Sequence, residues 1–170
     1  CALPIFYDLR SAQPRNITQD TLQRIAAKTV TSAPENAIKT VRGNGKRVLY
    51  TFEDPNCGYC RELYKELGKM NDITVYTYLV PVLSPDSADK ARAIWCAKDR
   101  AKAWDQMMTK GGIVEAGKPC DTPLDKNSLM AQRLNVRGTP AVYLADGRQL
   151  GGYVPAAQIE QALSAAPAKK

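Results

Sequence analysis

Apolar and polar residues along this chain mark out a β-α-β unit, a long helical stretch and a closing hairpin. Residues 48–52 and 73–80 are dense in β-branched and aromatic side chains and predict two strands. Between them lies an amphipathic stretch, 61–70. Its Leu63, Leu67 and Met70 recur at i, i+4 and i+7, the spacing of a helix with one buried face. Ser84-Pro85-Asp86 reads as an N-cap with proline at the first helical position. From there to about Leu134 the pattern is helical. Ala88, Ala91, Trp95, Trp104, Met107 and Met108 supply core positions, Gly111-Gly112 a break, and Asn127 the cap of a last helix through Leu129 and Leu134. Residues 141–144 predict a strand, Asp146-Gly147 a hairpin turn, and 148–153 the returning strand. Pro155 opens a final helix to about Ser164, and 166–170 read as a disordered tail.

The N-terminal part is less regular. Residues 4–9 predict a short strand ending at Arg10-Ser11, and Asn16 or Thr18 caps a short helix through Thr21, Leu22, Ile25 and Ala26. Ala33-Pro34 and Gly43-Asn44-Gly45 punctuate the approach to the strand at 48–52. The reading is an N-terminal strand and linker helix over 1–46, a main domain over 47–165, and the tail.

At 170 residues the chain can bury a real core. No run approaches the ~20 apolar residues of a membrane span, so a soluble chain is expected. It begins at Cys1 with no signal-like region, which reads as removal of a preceding segment. Net charge is +7, and residues 1–47 carry eight Lys/Arg against three Asp/Glu. The basicity therefore belongs to the N-terminal segment, not to a stripe on the folded domain, and no nucleic-acid partner is expected. The absence of histidine removes Cys-His proteolysis and His-ligated metal sites.

Five cysteines, Cys1, Cys57, Cys60, Cys96 and Cys120, allow two pairs and a leftover. Cys57-Gly58-Tyr59-Cys60 sits at a strand-to-helix junction. Helical geometry there brings two sulfurs together, and the helix N-terminus stabilises the first thiolate, so the pair can open and close its own disulfide. A four-cysteine zinc site is the competing reading. It lacks a second Cys-x-x-Cys and any histidine, so no metal is expected.

Three motifs in register resemble the catalytic domain of the DsbC/DsbG family of periplasmic disulfide isomerases. They are Thr51-Phe52-Glu53-Asp54-Pro55-Asn56-Cys57-Gly58-Tyr59-Cys60, Trp95-Cys96-Ala97-Lys98-Asp99 and Gly138-Thr139-Pro140-Ala141. The resemblance runs from about residue 5 to 164. It implies an α/β, thioredoxin-like fold with a helical insertion at about 84–136. It also implies that Cys57 attacks and Cys60 resolves, with Gly58 and Tyr59 tuning the potential. Gly138, Thr139 and Pro140 become a substrate-binding cis-proline loop, where Gly138 permits a tight approach. Cys96 and Cys120 become a structural disulfide, closing a loop for ~3.5 kcal/mol on the chain-entropy model. Thioredoxin-like proteins often place a buried acid six residues before the attacking cysteine. Thr51 stands there, and Glu53 and Asp54 read either as alternatives or as solvated loop charges.

The expected function is a periplasmic thiol–disulfide oxidoreductase that isomerises or reduces non-native disulfides in exported, cysteine-containing proteins. Its only cofactor is its own Cys57–Cys60 disulfide, and the family implies a DsbD-type membrane reductase as electron partner. The family dimerises through an N-terminal domain, of which 1–46 reads as a remnant. The chain as written is thus expected to be a monomer, and a homodimer with a longer N-terminal domain. Cys1 reads as an artificial boundary, an acylated lipoprotein cysteine or an intermolecular thiol. The alternatives are a monomeric dithiol oxidase and a non-catalytic docking or chaperone module with an incidental dithiol.

Overall fold

The computed structural model describes residues 4–10, 14–112 and 118–165. Cys1 and the 166–170 tail lie outside them. The elements run β1 (Tyr7–Asp8), β2 (Arg15–Asn16), α1 (Ile17–Thr31), β3 (Ile38–Arg42), β4 (Arg47–Glu53), α2 (Gly58–Gly68), β5 (Ile73–Leu79), α3 (Pro85–Trp95), α4 (Arg100–Lys110), α5 (Leu124–Arg133), β6 (Ala141–Leu144), β7 (Gln149–Gly151) and α6 (Ala156–Ser164).

Five strands form the central sheet in the order β3-β5-β4-β6-β7. β4 and β5 are parallel, as a β-α-β crossover requires, and the other pairings are antiparallel. Alternation along β4 assigns the two faces. Tyr50 and Phe52 join Tyr78, Tyr143, Ala26 and Val30 of α1, and Met130 and Ala131 of α5. Leu49 points the other way and packs with Leu63 and Leu67 of α2, Val142, Leu144 and Ile159 of α6. Helices thus cover both faces of the mixed sheet. A third cluster gathers Ile94, Trp95, Trp104, Met107 and Met108 around Cys57 and Cys60, so the insertion's core residues back the dithiol.

Some sequence expectations shift. The N-terminal strand shrinks to Tyr7–Asp8, paired with β2 in a two-stranded ribbon apart from the sheet. Asn16 caps α1, its Oδ1 accepting from Gln19 N at 2.9 Å, and the helix runs 15 residues. β3 lies inside the segment expected as an appendage, yet pairs over its whole length with β5. The sheet therefore begins before residue 47. The sequence hid β3 because its apolar residues, Ile38 and Val41, are three apart and face opposite ways; Ile38 is buried and Val41 is exposed. α2 starts at Gly58, earlier than the amphipathic pattern suggested, and Met70 is buried just beyond its end.

Asn127 does not cap a helix. It lies within α5, fully buried, and its Nδ2 donates to the carbonyls of Asn36 and Leu79. The hairpin turn is where expected, although β7 spans only three residues. Gly147 makes that turn with φ +86°, and a Cβ there would stand 2.0 Å from Gln23 O of α1. Only glycine meets both demands.

Candidate active site

β4 carries the chain to the site, and the 54–57 turn delivers Cys57 to the start of α2. Cys57 is the N-cap: the backbone N–H of Cys60 donates to its Sγ at 3.3 Å. Across the site, Cys57 Sγ lies 3.1 Å from the Thr139 carbonyl oxygen and donates to it while protonated. The Thr139–Pro140 peptide is cis. Residues 82 positions apart thus meet at one sulfur, held together by the antiparallel β4–β6 pairing that sets Phe52 opposite Ala141.

Cys57 and Cys60 are both free thiols and both buried. They are electrostatically unlike. Cys57 is pulled down to about 6, first by its hydrogen bond with the Cys60 thiol and then by the Thr139 side chain and the backbone N–H groups of Cys60 and Tyr59, against the opposing effect of burial. Cys60 is pushed strongly upward by burial and by its neighbour Cys57. One sulfur is therefore set to be a thiolate near neutral pH while the other keeps its proton. Tyr59, between them, is 68 % exposed. A Cβ at Gly58 would meet nothing within 4 Å.

The same holds at Gly138, so the tight approach expected there is not made among the described residues. Gly152 is the close neighbour instead, since its Cβ would sit 3.4 Å from Pro140 O. Thr139 Oγ1 is buried without a hydrogen-bond partner among the described residues. Cys96 and Cys120 are joined as a disulfide with Cα atoms 5.7 Å apart, tying the end of α3 to the segment before α5. Their sulfurs are thereby lost to any four-thiolate metal site.

Two acids read as possible solvated loop charges are buried. Asp54 is fully buried, and its carboxylate organises the neighbouring loop. Oδ1 accepts from Asn56 N at 2.7 Å and Ser87 Oγ at 2.9 Å, and Oδ2 accepts from Val82 N at 2.7 Å and Leu83 N at 3.0 Å. Asn56 extends this cluster, donating to Ser84, Asp86 and Ser87 and accepting from Lys90 Nζ. Glu53 is 1 % exposed, and burial lifts its carboxyl to about 7. Alternation along 49, 51 and 53 was the signal available in the sequence, since it puts Glu53 on the inward face shared with Leu49.

The chain matches known proteins over most of its length. Residues 34–167 fit the model of the thioredoxin-like domain. A disulfide interchange protein from Neisseria gonorrhoeae of known crystal structure is 41 % identical. The match has a TM-score of 0.73 and covers 77 % of this chain and 95 % of that one. The chain belongs to the DsbC family of thioredoxin-like proteins. The "Probable thiol:disulfide interchange protein DsbC" of Bordetella pertussis is 41 % identical over 150 residues, 88 % of this chain and 53 % of that protein. DsbC of Escherichia coli K12 is 32 % identical over 161 residues, 92 % of this chain and 66 % of that protein. The chain thus spans about half to two thirds of the length of these DsbC relatives. Among the described residues no helix is long and apolar enough to cross a membrane. Nor does any group of three or more Cys, Asp or Glu side chains there form a candidate metal site.

Proposed function

We propose that this chain performs thiol–disulfide exchange on cysteine-containing exported proteins in the periplasm, with Cys57 attacking and Cys60 resolving. The observation that carries the reading is a pair of free thiols at one helix N-terminus, with Cys57 Sγ capping α2 against the cis Thr139–Pro140 peptide; burial and hydrogen bonding push the two thiols' ionisation in opposite directions. A nucleophile ionised near neutral pH attacks a client disulfide, and a protonated partner one turn away stays inert until the mixed disulfide forms. The client then follows one of two routes. Its own thiol attacks and rearranges the pairing, or Cys60 attacks and releases the client reduced. The Thr139 carbonyl beside the Cys57 sulfur and the exposed Tyr59 border the surface where a client chain docks.

The chemistry needs no cofactor beyond the dithiol. A cycle that ends with Cys57–Cys60 oxidised needs an electron donor, and a DsbD-type membrane reductase fits that role. A longer N-terminal part, as the DsbC relatives' lengths allow, would supply the dimer contact that favours isomerisation.

The test is reductant-driven precipitation of insulin, paired with recovery of activity from scrambled ribonuclease. Turbidity above a Cys57→Ala control supports exchange, and its absence refutes the reading. Ribonuclease recovery assigns isomerisation; insulin reduction without it assigns a reductase.

A further inference from the structure

The start of β3 and the first turn of α4 enclose a hollow of about 1250 Å³. Its floor is small and apolar, made by Ala37 and Ile38 on one side and Ala101 and Ala103 on the other. Its rim carries four exposed cations, Lys39, Lys98, Arg100 and Lys102, against one carboxylate, Asp99. That carboxylate is occupied by the helix: its Oδ1 accepts from Lys102 N at 3.0 Å as the N-cap of α4. Among the described residues none of the four cations enters an ion pair. Lys65, Lys90 and Arg92, by contrast, each pair with an acid on their own helix. Arg100 is held in place. Its Nε donates to Trp95 O at 2.7 Å, and its guanidinium lies 3.8 Å from the centre of the Trp95 ring. Among the described residues that bond uses Nε alone, so the terminal amino groups remain to grip a carboxylate.

The hollow lies at the reactive end of the sheet. Ile38 pairs with Thr77 and Thr77 with Thr51, so the start of β3 is level with the end of β4 that delivers Cys57. Only β5 stands between those strands, which sets them two strand spacings, ~10 Å, apart. Ile38 and Ala103 of the floor, and Trp95 beneath Arg100, belong to the same packed cluster as Cys57 and Cys60.

We propose that this hollow is an exosite for an acidic segment of the client, a few residues from the cysteine that Cys57 attacks. The proposal rests on the exchange reading above and names the class of client it favours. The segment's carboxylates pair with the four rim cations while its backbone crosses the small apolar floor. The volume exceeds the ~300–1,000 Å³ of small-molecule pockets, which suits a length of chain rather than a free anion. A concavity presents its cations poorly to a flat lipid surface, and among the described residues no aromatic side chain lines it for base stacking. An extended chain rises ~3.3 Å per residue, so about four to six residues cover the strand spacing and the reach into the hollow. The ionic contact forms before the covalent step, so it raises the rate of Cys57 attack and makes that rate salt-dependent.

The experiment uses peptides whose single cysteine carries thionitrobenzoate as a mixed disulfide. Attack by Cys57 on the peptide sulfur displaces the coloured aryl thiolate. Each peptide bears a short run of Glu, Gln or Lys about five residues before or after the cysteine. At about 0.01 M salt the better Glu peptide should react ~10-fold faster than its Gln counterpart, and the ratio should fall toward one at about 0.5 M. Lys98→Gln with Arg100→Gln and Lys102→Gln should abolish the ratio. Lys98→Gln with Lys102→Gln, which keeps the Arg100–Trp95 contact, should remove most of it and serves if the triple variant does not fold. Arg24→Gln with Lys28→Gln, which removes two cations from α1, should leave the ratio intact. A Glu-over-Gln ratio near one in the wild-type chain overturns the proposal, as does a ratio unchanged in the folded hollow variant or lost equally in the α1 variant. Phosphatidylglycerol vesicles that inhibit the Glu peptide more strongly than a free Glu segment of equal charge overturn it too, since the hollow is then a membrane contact. No release from any peptide refutes the exchange reading, and the exosite with it.

Discussion

Removing the Asp54 carboxylate tests whether the loop beside Cys57 is held by one buried charge. In Asp54→Ala four hydrogen bonds go at once: those from Asn56 N, Ser87 Oγ, Val82 N and Leu83 N. Hydrogen bonds to a charged acceptor are worth ~1.5–3 kcal/mol each, but they share one acceptor group and are not additive. Burying the carboxylate has a desolvation cost, which the alanine recovers. Water also reaches the part-buried N–H groups of residues 82 and 83. The balance is a loss of about 3–4 kcal/mol, far beyond an ordinary surface substitution. For a domain of this size that lowers Tm by roughly 6–16 °C. Urea unfolding of the oxidised protein, with unchanged m-value, is the measurement. Asp89→Ala is the control, since Asp89 pairs with Arg92 on an exposed surface and should cost under ~0.5 kcal/mol. A loss below about 1 kcal/mol in Asp54→Ala would refute the idea that Asp54 organises this loop.

Cys57 should titrate with a midpoint near pH 6, read by thiolate absorbance and absent in Cys57→Ser. Its folded value lies below the unfolded one, so its ionisation stabilises the reduced fold fully above about pH 9 and not at all below about pH 6. Reduced wild type should therefore lose stability relative to Cys57→Ser as pH falls across that window, in parallel denaturant melts. Gly147→Ala should cost more than ~3 kcal/mol, because a Cβ would collide with the α1 backbone at a positive φ. Gly138→Ala should change stability by less than ~0.5 kcal/mol, and equal losses in the two would show that the contact with Gln23 is not what constrains 147. Cys96→Ser with Cys120→Ser should cost about 3 kcal/mol while sparing the reaction of the reduced protein's Cys57 with the aryl disulfide DTNB, and loss of that reaction would contradict the separation of the two cysteine pairs.

Much of the scaffold was legible because it is written in local periodicity. β4, β5, β6 and α2 announce themselves through runs of β-branched residues and an i, i+4, i+7 stripe, and the dithiol through its four-residue spacing. What stayed hidden depends on partners distant in sequence. β3 has no apolar alternation of its own and is a strand because β5 offers its edge. Asn127 looks like a cap until the carbonyls of Asn36 and Leu79 are brought to it. Glu53 and Asp54 look like loop charges because sequence alone does not show that α2 and the residue 81–87 loop close over them. In the site, the reactive pair could be read from spacing, whereas the groups that set its protonation could not.

The sheet's two edges matter for a protein proposed to handle partly unfolded chains. Such chains present bare strands, and an open sheet edge is a template on which they can stick. β3 meets them with exposed Lys39 and Val41 and with Arg42, placing cations on either side of the one exposed apolar residue of that strand. β7, at the far side, is three residues long and joins β6 through a register shift. Neither rim offers a long, flat, uncharged ladder for a sixth strand to extend. An unfolded client is thus denied adhesion along the molecule's flanks, and its encounter is left to the end of the sheet where the reactive sulfur waits.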